Sequence, residues 1–181
     1  MAYVPFPNMV GMLFKTAGFE PKAEAFVHAA VGIIGEVIEL RQYEGIENLI
    51  EEFGDLEFYL EAYLHQIRTH CSIPEGEPDG IFHLGSKADP NYHFDELISK
   101  AETILDHTKK VWVYGAPAAS LMTKAYPALL SMRETLLDLY LYYGVTREAV
   151  LDANQLKLGK RFPGLVYTNY AAQSRADKQG A

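Results

Sequence analysis

Four carboxylates repeat at one spacing on either side of a short gap in the sequence. Glu36 and Glu39 are three residues apart, and Glu52 and Asp55 repeat that spacing. Residues three apart lie on one face of a helix, so each pair projects in one direction. Carboxylates that share a groove repel one another and raise one another's pKa values unless cations neutralise them. Because oxygen is the only ligand type in the set, the pattern favours Mg²⁺ or Mn²⁺ over Zn²⁺.

Two helices that meet near Gly45 would position these carboxylates. Apolar periodicity predicts one helix over 21–42, opened by Pro21, and a second helix after Gly45. At a rise of ~1.5 Å per residue, the inner carboxylates of an antiparallel hairpin lie roughly 8–11 Å from the turn. The outer carboxylates lie roughly 13–15 Å from it. The two pairs are therefore expected to face each other at matching heights.

Three glycines accompany the carboxylates: Gly32, Gly35 and Gly54. Each costs a helix roughly 1 kcal/mol relative to alanine, so we expect something to approach the backbone closely there. Ordinary solvent-facing charges explain an E-x-x-E spacing taken alone, but the paired spacing and the glycines favour a metal site. A di-iron bundle would need E-x-x-H twice, which the sequence lacks at this place. His28 lies on the same face, either as a partner of the site or as a structural histidine.

A second polar face is predicted on the last long helix. Asn154, Lys157 and Arg161 follow one another at three and four residues, on one side of that helix. On an acidic chain, local cations are needed to gather a polyanionic substrate such as one that carries phosphates. The alternative is that these basic residues only complement the dipole of a helix C-terminus.

Composition excludes several classes of protein. The 181 residues carry a formal charge of −8 and are 49% hydrophobic, which suits one folded domain and argues against a binder of nucleic-acid polymers. No apolar run is long enough to span a membrane, and the first residues lack the pattern of a signal peptide. The single Cys71 cannot form an internal disulfide. We therefore expect a cytoplasmic protein with no membrane contact.

Helical periodicity also dominates the rest of the chain and predicts an all-α bundle of about five to six helices. The further helices are expected over 8–16, around 94–105, over 118–143 with Pro127 as a kink or a start, and over 147–160 with Thr146 as the N-cap. Residues 111–115 are expected to be a loop, 71–91 a long excursion, and the tail from Ala171 a frayed end.

The carboxylate stretches and the last helix resemble the MazG-like branch of the all-α nucleoside triphosphate pyrophosphohydrolases. The resemblance rests on Gly35-Glu36-Val37-Ile38-Glu39-Leu40, on Glu51-Glu52-Phe53-Gly54-Asp55-Leu56 and on Asn154-Gln155-Leu156-Lys157-Leu158 followed by Lys160-Arg161-Phe162-Pro163. It covers roughly 20–68 and 146–175 of a single domain over 1–181. The region 72–143 is longer than the family pattern and less recognisable.

The resemblance implies hydrolysis of a (d)NTP to a (d)NMP and pyrophosphate. Mg²⁺, replaceable by Mn²⁺, would be bound as two or more ions by Glu36, Glu39, Glu52 and Asp55. The water proton would go to Glu36 or, as the alternative, to Glu39. The residues expected to bind the substrate are Asn154, Lys157, Arg161, Arg175, Tyr59 and His28. Tyr59 could equally be a core or interface aromatic.

The same resemblance implies a homodimer or a dimer-based tetramer. A purine dNTP such as dGTP is the expected substrate, and a pyrimidine pyrophosphatase acting on dUTP or dCTP is the alternative. Two readings from other classes remain: a non-catalytic regulator that binds nucleotide or metal, and a purely structural helical interaction protein.

Overall fold

The structure is a computed structural model, and it describes residues 4–14, 23–71 and 89–178. Within these ranges no β-strand is present, so the expected all-α class is confirmed. The α-helices in the described ranges are α1 (Phe6–Leu13), α2 (Ala23–Arg41), α3 (Gly45–Cys71), α4 (Pro90–Tyr114), α5 (Ala125–Tyr143), α6 (Arg147–Arg161) and α7 (Asn169–Ser174). Two 3₁₀-helices, Ala118–Thr123 and Pro163–Leu165, connect α4 to α5 and α6 to α7.

Local sequence signals explain where several helices begin. Thr146 is the N-cap of α6, as predicted, and its hydroxyl accepts a hydrogen bond of 3.1 Å from the backbone N–H of Ala149. Pro127 lies in the first turn of α5, where a missing N–H breaks no helical hydrogen bond. It therefore marks the start of that helix and does not kink it. The start proposed at Pro21 lies outside the described residues, as do residues 72–88 of the excursion expected over 71–91. The two ends of that excursion are helical instead, since Cys71 ends α3 and Pro90 and Asn91 begin α4.

Two expectations for irregular structure are wrong. Residues 111–114 continue α4, which ends only where Gly115 adopts a left-handed conformation with a φ of 68°. The tail forms α7, because Thr168 caps it by accepting a hydrogen bond of 3.0 Å from the N–H of Ala171. This added helix raises the number of α-helices in the described ranges above the five to six expected.

The bundle is built around α2 and α3. α2 packs against α3 and α4, α4 packs against α5, and both α1 and α6 lie against α3. The largest fully buried side chains come from these contacts: Phe26, Ile33, Leu40, Phe53, Leu56, Tyr63 and Leu97. Because the apolar stripes of α2 and α3 face this core, the opposite edges of the two helices carry the polar residues of interest. No helix in the described ranges combines the length and the apolar character needed to cross a membrane.

Two buried carboxylates of α3 outside the predicted quartet, Glu57 and Glu61, are paired with arginines. Glu57 accepts hydrogen bonds of 2.7 and 3.0 Å from Arg147 and one of 3.1 Å from the Tyr140 hydroxyl. Glu61 accepts one of 2.6 Å from Arg133. Burial of an ion is tolerated when a partner compensates its charge, so these two carboxylates stabilise the joints of α3 with α5 and α6.

Candidate metal centre and adjoining pocket

Three of the four predicted carboxylates meet between α2 and α3. One carboxylate oxygen each from Glu36, Glu39 and Glu52 lies within 4.8 Å of the other two. Glu52 is buried, Glu36 is half-buried and Glu39 is exposed, so the group opens to solvent on one side. These three residues form the carboxylate trio. The hairpin of α2 and α3 places Glu39 opposite Glu52 because their distances from the turn match, and Glu36 lies one helical turn from Glu39 on α2.

The trio lacks a cationic partner among the described residues. The ion pairs of that part of the chain engage Glu51, Asp55, Glu57 and Glu61 from α3, but no member of the trio. Glu52 accepts a hydrogen bond of 2.7 Å from Nδ2 of Asn48, which is a neutral group. Charges of one sign at this separation are unfavourable without a counterion. The donor set, three carboxylates with open space on one side, fits a hard divalent cation.

The electrostatics of the trio follow from burial and from this repulsion. Burial is the largest cause that raises the pKa of Glu36 to about 8; the charges of Asp55, Glu39 and Glu52 contribute in that order, and Lys157 opposes the rise. Burial also raises the pKa of Glu52, while the hydrogen bond from Asn48 opposes the rise. A carboxyl group with a pKa near 8 retains its proton at neutral pH until a cation replaces that proton.

Asp55 lies outside the trio and faces α6. It accepts a hydrogen bond of 2.8 Å from Nδ2 of Asn154, and the Lys157 ammonium group donates to its second oxygen. Spacing alone placed Asp55 with the other three carboxylates, and the structure adds that both of its oxygens contact residues of α6. It remains close enough to raise the pKa of Glu36.

The three glycines have different roles. A Cβ atom at residue 32 would lie 2.2 Å from the ring of Tyr59, and one at residue 54 would lie 2.8 Å from Cβ of Asn154. The expected close approach therefore comes, at these two positions, from side chains of the protein itself. A Cβ at Gly35 would meet nothing within 4 Å, so Gly35 only leaves open space beside Glu36.

The cations of α6 are engaged by carboxylates of the chain. Lys157 contacts Glu51 at 3.3 Å in addition to its contact with Asp55. Arg161 donates two hydrogen bonds of 2.7 Å to Asp177, a residue of the C-terminal segment. Asp177 was missed by the sequence analysis, because sixteen residues separate it from Arg161 and no periodic pattern links the two. Arg175, predicted to bind phosphate, is exposed at the end of α7 with a φ of 48°.

An aromatic pocket of about 210 Å³ adjoins the trio. His28 stacks on Phe14 with ring centroids 4.6 Å apart, and Phe162 stacks on Tyr167 at 5.4 Å. The lining residues are Leu13, Phe14, His28, Glu36, Asp55, Phe58, Tyr59, Leu158, Arg161, Phe162, Tyr167 and Ala172. The pocket thus combines apolar rings with two carboxylates and one guanidinium group, as a small-molecule site does.

His28 and Tyr59 both line this pocket, which is where sequence spacing placed them relative to Glu36. Burial, and then the charges of Glu36 and Asp55, together raise the pKa of Tyr59 to about 12. Its phenol group is therefore neutral and can donate a hydrogen bond. Phe14, Phe162 and Tyr167 were not predicted to line a pocket; they come from the residue that follows α1 and from the chain after α6. Aromatic residues are common in cores, and nothing in their spacing marks these three.

Comparisons of the chain with protein-family models, with curated proteins and with solved structures gave no match. The fold defines the protein as an all-α bundle. The features that bear on function are then those of the site: an uncompensated carboxylate trio, a cationic face on α6 and an aromatic pocket between them.

Proposed function

We propose that the protein is a metal-dependent nucleoside triphosphate pyrophosphohydrolase, which converts a (d)NTP and water into a (d)NMP and pyrophosphate. The observation that carries this proposal is the carboxylate trio. In the described residues, buried Glu57 and Glu61 form ion pairs with arginines, whereas Glu36, Glu39 and Glu52 converge without an ion pair. Such a group is stable as three carboxylates only when a cation binds it.

Mg²⁺ is the proposed cofactor, held by Glu36, Glu39 and Glu52, with Mn²⁺ as a substitute and with Asp55 at the edge of the site. Bound there, the metal would polarise the α-phosphate, acidify water and stabilise the leaving pyrophosphate. Two or more ions per site stay a prediction from the family resemblance.

In the proposed hydrolysis, water attacks the α-phosphorus, a carboxylate takes the water proton and two cations of α6 contact the leaving phosphates. A bond forms between the water oxygen and the α-phosphorus, and the bond from that phosphorus to the bridging oxygen breaks, with its electron pair leaving on pyrophosphate. Glu36 or, as the alternative, Glu39 takes the water proton. Lys157 and Arg161 contact the leaving phosphates once their own carboxylate partners are displaced or shared.

The aromatic pocket is the proposed place for the nucleobase. It lies next to Glu36 and Asp55, so a base held there keeps its triphosphate within reach of the trio. The stacked pair of Phe14 and His28 and the ring of Tyr167 offer flat surfaces on which a base stacks. The expectation of a purine such as dGTP stays a prediction, with dUTP or dCTP as the alternative.

A homodimer or dimer-based tetramer and a cytoplasmic location also stay predictions. Val31 and Ile38 support an assembly, since they are 53% and 47% exposed and stand seven residues apart on one face of α2. Light scattering of the purified chain would establish the number of subunits.

Pyrophosphate release from a panel of canonical and modified dNTPs and NTPs, with Mg²⁺, Mn²⁺ or chelator, tests the proposed function. We expect release that requires the metal and that is lost in Glu52→Gln. Glu102→Gln is the matched control, because Glu102 is an exposed carboxylate on α4. Nucleotide binding without any turnover would favour the non-catalytic regulator. Release that is equal in chelator and in Mg²⁺ would overturn the proposal.

A further inference from the structure

The C-terminal segment 175–178 closes over the cationic face of α6. Both oxygens of Asp177 accept hydrogen bonds of 2.7 Å from Arg161, one from Nε and one from Nη2. The Asp177 side chain is only 2% exposed in this position, and that of Arg161 is 16% exposed. Lys178 adds a contact of 2.8 Å to Glu51. The segment is therefore fixed by ion pairs to α6 and α3.

The contact of Asp177 with Arg161 has the geometry of anion recognition. A guanidinium group offers two parallel N–H donors, which match two oxygens of either a carboxylate or a phosphate. Arg161 also lines the aromatic pocket beside Glu36 and Asp55. The two donors that Asp177 occupies are thus donors that a phosphate chain near the trio would use.

We propose that Asp177 is an internal competitor for the phosphate position on Arg161, and that the segment 175–178 must leave Arg161 before a triphosphate binds there. This inference rests on the proposed function for the identity of the ligand. The apparent affinity for nucleotide is then the intrinsic affinity multiplied by the fraction of molecules in which the segment is undocked.

The remaining contacts of the segment are weak enough for it to move away from α6. α7, which leads into it, has six residues, none of which is buried. The Lys178 side chain is 51% exposed in its contact with Glu51, so solvent screens that pair. Short exposed segments with few apolar contacts open at a small fraction of the global unfolding free energy.

Release of the segment would also enlarge the space available to phosphates. Asp177 and Lys178 line a cavity of about 320 Å³ that includes Lys157 and Lys160. With Asp177 withdrawn, three cations of α6, namely Lys157, Lys160 and Arg161, would face one open groove. If the pair had only a structural role, Arg161 and Asp177 would stay in contact when the ligand is bound.

Asp177→Asn in the full chain tests the proposal, with Asp152→Asn, an exposed carboxylate of α6, as the matched control. The probe is inorganic triphosphate in the presence of Mg²⁺, titrated by calorimetry. We expect Asp177→Asn to bind it at least about fivefold more tightly than the unmodified chain, as for a coupling at the low end of the usual range. In turnover, the KM for dNTP should fall while kcat is unchanged. An equal or weaker affinity in Asp177→Asn would overturn the proposal.

A second measurement covers the case in which Asp177→Asn does not fold. Arg175 is exposed, and trypsin cleavage after it reports release of the segment in the unmodified chain. Inorganic triphosphate with Mg²⁺ should accelerate this cleavage, as followed by the mass of the product. A cleavage rate that falls or stays the same with triphosphate would contradict release.

The two proposals fail in different ways. If triphosphate binds more tightly to Asp177→Asn but no nucleotide is hydrolysed by either protein, the pyrophosphohydrolase proposal is wrong and the competition by Asp177 stands. If nucleotide is hydrolysed with the same KM by both proteins, the competition is wrong and the enzyme stands. Absence of triphosphate binding to both proteins overturns the competition.

Discussion

The Asn154 amide group joins α6 to the face of α3 that carries the carboxylates. Its Nδ2 atom donates a hydrogen bond of 2.8 Å to Asp55, and its Cβ atom would lie 2.8 Å from a Cβ placed on Gly54. The side chain is 2% exposed. A glycine at position 54 is therefore what allows Asn154, and with it Lys157, to approach Asp55.

Gly54→Ala should destabilise the protein by about 1–3 kcal/mol, because the added methyl group forces Asn154 and α6 away from α3. Turnover should fall as well, since Lys157 moves with α6. Gly159→Ala is the control on α6, where a Cβ meets nothing within 4 Å. It should raise the unfolding free energy by about 0.5–1 kcal/mol. Denaturant unfolding of both variants measures the difference, and equal stability of the two would contradict the tight approach at Gly54.

Mg²⁺ should raise the thermal stability of the protein. A ligand at a concentration one hundred times its dissociation constant adds about 2.7 kcal/mol when it binds only the folded state. Glu52→Gln should abolish this stabilisation while the metal-free variant stays folded, because removing one charge relieves repulsion within the trio. Glu102→Gln should keep the full stabilisation by Mg²⁺. The metal assignment would be refuted by a Glu52→Gln protein that Mg²⁺ stabilises as much as the unmodified chain.

The metal-free protein should lose stability as the pH rises from about 4.5 to about 8. The pKa of Glu36 is raised from 4.5 to about 8 by burial and by neighbouring carboxylates, so the folded state retains a proton that the unfolded state has released. The folded state binds more protons in this interval, and its free energy of unfolding therefore declines with pH.

Glu36→Gln should remove that part of the decline, which is measured as the difference in unfolding free energy between the two proteins across this pH interval in chelator. Glu102→Gln should follow the unmodified chain at every pH. Parallel curves for Glu36→Gln and the unmodified chain would show that Glu36 does not titrate in this way.

Tyr167→Leu should weaken nucleotide binding by about 1–3 kcal/mol, the range for loss of one stacking surface. The affinity for inorganic triphosphate should not change, because Tyr167 belongs to the aromatic pocket and the triphosphate carries no base. Tyr170→Leu is the control, since Tyr170 is 82% exposed. Equal losses of affinity for nucleotide and for triphosphate would show that the base does not bind in this pocket.

Arg133→Leu should destabilise the protein by about 3–5 kcal/mol, because it leaves Glu61 buried with a weaker partner. Glu61 is 5% exposed, and Arg68 also contacts it, at 3.2 Å. Turnover measured well below the melting temperature should be unchanged, since this pair lies away from the trio. Lys110→Gln removes an exposed pair with Asp106 and should leave the melting temperature unaltered. A similar stability for both variants would contradict the role assigned to the buried pair.

Features set by neighbours in the chain were predictable from the sequence. The cap at Thr146 and the register of Glu39 against Glu52 depend on a short-range hydrogen bond, a turn and a helix rise. The extension of α4 through Val113 was not predictable in this way. β-Branched residues only weakly disfavour a helix, and the glycine that ends it stands at 115.

Features that depend on distant residues escaped the sequence analysis. Spacing grouped Asp55 with the trio but could not indicate that Asn154 and Lys157 from α6 contact its side chain. Asp177 is a second example, because no periodic pattern links it to its partner Arg161 on α6. Pairing of this kind is fixed by how helices pack, which periodicity within one helix does not encode.

The position of water attack tests the central claim most directly. Nucleoside triphosphate is hydrolysed in water enriched in ¹⁸O with Mg²⁺, and the products are separated and weighed by mass spectrometry. Attack at the α-phosphorus places the label in the nucleoside monophosphate and leaves pyrophosphate unlabelled, which is the result that the proposed mechanism predicts. Label in pyrophosphate, or release of orthophosphate with a nucleoside diphosphate, would contradict it.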